Sequence, residues 1–136
     1  MNQENKNDVV QQIGAEIFEW LALKFNKNTT LEDLPEGLLD SICKIDTTIR
    51  DFSSDPNAIT AIALITFSYK LANKQQQAHY GSNDLLLVKV LVKNELAKRK
   101  GEKTLDNEMW KAPVYELITG KVGEEIRATK FMTNPA

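Results

Sequence analysis

Apolar residues recur at helical spacing along most of the chain. In residues 9–25, Val10, Ile13, Ile17 and Leu21 fall at i, i+3, i+7 and i+11, which places them on one face of an α-helix. Phe18, Trp20 and Phe25 widen this apolar face. The polar run 26–28 then ends the pattern, so the sequence predicts a first amphipathic helix over residues 9–25.

The second segment has the most regular pattern. Thr29-x-x-Glu32 fits a capping box, and Pro35 suits the first turn of a helix. Five apolar residues follow at spacings of 4, 3, 4 and 3: Leu38, Ile42, Ile45, Ile49 and Phe52. Two interpretations fit this stripe. It is the buried side of a helix in a bundle, or it is the seam of a homodimer.

A third helix is predicted over residues 57–73, because Asp55-Pro56 is a typical helix start. Its first turns, residues 58–65, are apolar nearly all round, which is typical of a helix surrounded by others. Residues 85–100 predict a fourth helix that Gly101 ends. Shorter helical segments are predicted at 104–111, 114–119 and 121–130.

These segments predict an all-α fold, a compact bundle of four to six helices around the central apolar helix 57–73. The length of 136 residues, with 42% hydrophobic and 26% charged residues, fits one domain over residues 1–136. We expect frayed termini at 1–7 and 133–136. The longest apolar stretch is too short to span a membrane, and the single cysteine, Cys43, cannot form an internal disulfide. These features favour a cytoplasmic protein.

Charge is divided unevenly along the chain. Residues 1–57 carry five Lys/Arg against eleven Asp/Glu, a net charge of −6, whereas residues 58–136 carry twelve against eight, a net charge of +4. Such a division can orient a partner, favour head-to-tail contact between copies, or arise by chance.

Few residues suit catalysis or metal binding. His79 is the one histidine and Cys43 the one cysteine, too few for the three or four His/Cys ligands typical of zinc sites. Gly120-Lys121-Val122-Gly123 resembles only a fragment of a nucleotide-binding loop, with valine where a magnesium-binding hydroxyl belongs. We therefore expect no catalytic residue, no metal and no cofactor; an enzyme is the third hypothesis for function.

Two binding functions remain. The favoured one is a non-catalytic module of regulatory, adaptor or inhibitor type that binds a protein through its helix faces, with a homodimer as one form. Tyr80 and Trp110 are candidate anchors, because these residue types are common in interface hot spots. The alternative is nucleic-acid binding, which draws affinity from phosphate contacts. Its candidate residues form the basic face of residues 89–103: Lys89, Lys93, Lys98, Arg99, Lys100 and Lys103.

Overall fold

The computed structural model of the chain describes residues 14–46, 55–74, 82–102 and 108–127. Within these ranges there are six α-helices, two 3₁₀ turns and no strand, which confirms the predicted all-α class. The helices are α1 (14–24), α2 (Glu36–Cys43), α3 (Pro56–Leu71), α4 (Ser82–Arg99), α5 (Val114–Thr119) and α6 (Lys121–Arg127). The 3₁₀ turns are Leu31–Asp33 and Glu108–Lys111, here called the first and second 3₁₀ turns.

Helix α3 occupies the centre of the bundle, as its apolar sequence predicts. The Asp55 carboxylate accepts a hydrogen bond from the Asn57 backbone N–H at 2.9 Å, and Pro56 fills the first helical position. The helix packs against α2, α4 and α5. Its small residues Ala58 and Ala61 are fully buried, and Ala63 nearly so, which allows the neighbouring backbones to come close.

Helix α4 shares the centre, because it contacts α2, α3, α5, α6 and the first 3₁₀ turn. It ends at Arg99, two residues before the glycine that the sequence predicts as its stop. Gly101 has φ +73°, a conformation that residues with a Cβ rarely adopt. Its N–H donates to the Lys98 carbonyl at 3.1 Å, and the Glu102 N–H donates to the Ala97 carbonyl at 2.8 Å. This pair of bonds is a Schellman motif, which satisfies the last carbonyls of the helix.

Two predictions about the second segment are wrong. The capping box is shifted by one residue, because Asp33 Oδ2 accepts from the backbone N–H of Thr30 at 3.0 Å. The Thr29 hydroxyl instead accepts from the Asn26 N–H at 2.9 Å, and its carbonyl accepts from the Val114 N–H at 2.8 Å. Thr29 thus joins this turn to the start of α5, a long-range contact that local spacing does not encode.

Helix α2 is also shorter than its stripe predicts, since it begins after Pro35 and ends at Cys43. The Ile45 N–H donates to the Ile42 carbonyl at 3.2 Å, which tightens the chain at the helix end. Ile45 is 1% exposed although it lies beyond the helix. Ile45 keeps the apolar period because the chain directly after the helix also packs on the core.

The last third follows its prediction in outline. Residues 114–119 form a helix as predicted, whereas the segment predicted at 104–111 is described only as a 3₁₀ turn at Glu108–Lys111. The final helix is described to Arg127. The expected start of the first helix, the frayed termini, His79, Tyr80, Lys103, Ile49 and Phe52 lie outside the described residues. Among the residues that are described, no helix is both long and apolar enough to cross a membrane.

Candidate partner-binding surfaces

Arg99, a member of the predicted basic face, holds the first 3₁₀ turn against the end of α4. Its Nη2 donates to the carbonyls of Leu34 at 2.7 Å, Glu32 at 3.1 Å and Leu31 at 3.4 Å. Its Nε donates to Oε2 of Glu95 at 2.9 Å. The Glu95 side chain is only 5% exposed and that of Arg99 26%. This guanidinium therefore donates hydrogen bonds both to a buried carboxylate and to the carbonyls at the end of a turn that is distant in the sequence.

Lys98 extends the same contact at the surface. Its ammonium forms an ion pair with the Glu32 carboxylate, and both side chains are more than half exposed. The hydrogen bond from Lys98 lowers the pKa of the Glu32 carboxyl, and the same bond raises the pKa of the Lys98 ammonium. Because the pair is exposed, its contribution to stability is small.

Lys89 is also engaged within the chain. Its Nζ donates to the Ile45 carbonyl at 2.6 Å, which anchors the loop after α2 on α4. Of the basic face, Lys93 and Lys100 are exposed, and Lys103 lies outside the described residues. Three of the six predicted phosphate-binding residues thus bond to residues 31–45 or to Glu95.

These contacts explain part of the uneven charge distribution along the sequence. The first 3₁₀ turn, which belongs to the acidic part of the sequence, packs against the basic end of α4, where Lys98 pairs with Glu32 and Arg99 donates to the turn carbonyls. Part of the charge complementarity is therefore satisfied within one molecule, which the position of the charges along the sequence does not show.

The described part of the proposed dimer seam lies inside the bundle. Leu38 and Ile42 are fully buried and Ile45 is 1% exposed, in the same core as the apolar residues of α3 and α4. These three side chains are covered by their own chain and offer no surface to a second copy. Of the two interpretations of the stripe, the helix of a bundle is the one that agrees with this burial.

Trp110, a predicted anchor, belongs to the core as well, with 8% of its surface exposed. The exposed apolar side chains lie elsewhere. Leu23 is 74% exposed and Phe18 45% on α1, and Ile59 is 39% exposed on α3. Phe18 was predicted on the buried face of the first helix, and this prediction is wrong.

Helical geometry explains the position of Leu23. A residue two positions after a buried one points to nearly the opposite side of a helix, and Leu23 lies two positions after the fully buried Leu21. The side opposite the core holds Glu16, Glu19 and Leu23 at i, i+3 and i+7, and both glutamates are exposed. We call this set the outer stripe of α1. Trp20 borders this stripe, but it is half-buried and packs against the core, as the sequence predicts. The sequence contains this signal, since helical spacing alone places Leu23 opposite the face that Ile17 and Leu21 bury.

The glycines that resemble a nucleotide-binding fragment have a steric role instead. A Cβ at Gly123 would lie 2.3 Å from the Leu117 carbonyl oxygen and 2.9 Å from that of Ile118. A Cβ at Gly120 would lie 2.8 Å from the Glu116 carbonyl oxygen. Helices α5 and α6 therefore meet at a junction that has no room for side chains at these positions.

The described ranges contain few side chains that could act in catalysis or bind a metal ion. Cys43 is a free, half-buried thiol at the end of α2. No group of three or more His, Cys, Asp or Glu residues in these ranges is arranged to hold a metal ion. Searches against protein families, curated proteins and solved structures find no match to this chain.

Proposed function

We propose that the chain is a non-catalytic protein-binding module, of regulatory, adaptor or inhibitor type, that contacts its partner through the outer stripe of α1. The observation that carries this proposal is the exposure of Leu23, which at 74% is the largest among the large apolar side chains described as exposed. The inner side of the same helix is anchored in the core by Ile17 and Leu21. A helix packed on the core thus presents a leucine to solvent, and leucine is a common anchor in helix-in-groove recognition.

The residues around Leu23 indicate the chemistry of the partner. Glu16 and Glu19 place two carboxylates on the same stripe, and the half-buried Trp20 lies at its border. A complementary surface has an apolar groove for Leu23 with lysine or arginine at its rim. Burying the exposed part of Leu23 contributes about 1–2 kcal/mol of binding free energy.

Nucleic-acid binding by the basic face is the alternative, and it has less support. Lys89, Lys98 and Arg99 are engaged within the chain, and Lys93 and Lys100, both exposed, are the other described members of that face. Two phosphate contacts give a weak dependence of affinity on salt. Fluorescence anisotropy with labelled DNA and RNA tests the alternative. Salt-sensitive binding that Lys93→Glu with Lys100→Glu abolishes would favour it over the protein-binding proposal.

Affinity capture with matched variants tests the protein-binding proposal. The tagged full-length chain is incubated with extract of its source cells, alongside Leu23→Gln and the control Ile59→Gln. Both changes replace an exposed apolar residue in a helix, and circular dichroism verifies that each variant is folded. We expect a protein that wild type and Ile59→Gln retain and Leu23→Gln loses. Equal retention by all three chains, or no retained protein, would contradict the proposal.

Two further properties belong to the proposal. A homodimer is one form of protein binding, and light scattering of the purified chain would then show twice its mass of 15.4 kDa. A measured mass equal to that of one chain would exclude the homodimer. We also propose the cytoplasm as the location, because a single cysteine suits a reducing compartment; fractionation of the source cells tests it.

A further inference from the structure

We draw no further inference here: the strongest candidate, the exposed outer stripe of helix α1 around Leu23, belongs to the interface already proposed, and nothing in the structure shows which partner covers it.

Discussion

Replacing Gly123 by alanine tests how closely α5 and α6 meet. The added methyl group would lie 2.3 Å from the Leu117 carbonyl oxygen and 2.9 Å from that of Ile118. Ordinary van der Waals contact begins at 3.4 Å. Both oxygens belong to the backbone at the end of α5, so rotation of a side chain cannot relieve the contact. The two helices must move apart by about 1 Å, which loosens contacts along their interface.

The expected loss of stability follows from two opposing effects. Overpacking of this kind costs about 1–3 kcal/mol. Alanine in a helix recovers up to about 1 kcal/mol relative to glycine, because the unfolded chain loses less conformational entropy on folding. Because both close contacts involve backbone atoms, we place the cost at the upper end of its range. Gly123→Ala should therefore lower the free energy of unfolding by about 2 kcal/mol.

Gly37 provides a matched control for this substitution. It lies within α2, and a Cβ there would meet nothing within 4 Å. Gly37→Ala should raise the free energy of unfolding by about 0.5–1 kcal/mol. Urea unfolding followed by far-UV circular dichroism measures both changes, provided that the urea dependence of the three chains is the same. A Gly123→Ala variant as stable as the wild type would refute the close junction.

Three further predictions concern charge and burial. The pKa of Glu32 should lie below its ordinary value of 4.5 in an NMR titration and return toward that value in Lys98→Met. Because the folded-state pKa is lowered, the pair stabilises the fold at neutral pH, and this contribution is lost as the pH falls through the lowered pKa. Ile45→Asp should unfold the chain, because the substitution places a charge in the core. If the variant instead stays folded and light scattering gives it half the mass of the wild type, a dimer seam would be supported. Lys89→Met should lower the melting temperature, whereas Lys93→Met should leave it unchanged.

Local signals predict much of the fold. The start of α3 follows from its cap and proline, and the end of α4 follows from Gly101. The burial of Leu38 and Ile42 follows from their spacing. Each of these features depends on residues within a few turns of one another, so sequence patterns capture them.

The functional interpretation of the basic face depends on contacts that the sequence does not display. Arg99 bonds to carbonyls 65 to 68 residues away, and Lys89 bonds to one 44 residues away. Every residue has a backbone carbonyl, so a sequence pattern cannot indicate which carbonyl a lysine or arginine binds. The outer stripe of α1 is hard to predict for another reason: the buried face of the same helix gives a stronger periodic signal than the single leucine on the opposite side.

Arg99 is the residue by which the basic end of α4 holds the first 3₁₀ turn on the bundle, and the unfolding free energies of Arg99→Met and Lys100→Met test this claim most directly. Charged hydrogen bonds contribute about 1.5–3 kcal/mol each, and leaving a buried carboxylate such as Glu95 unpaired costs about 3–5 kcal/mol. Partial exposure of the Arg99 side chain reduces these values. We therefore expect a loss of about 2–4 kcal/mol for Arg99→Met, little recovery in Arg99→Lys, and a change within about 0.5 kcal/mol for Lys100→Met. Equal stabilities of the two methionine variants would contradict the claim and return Arg99 to the surface available for a partner.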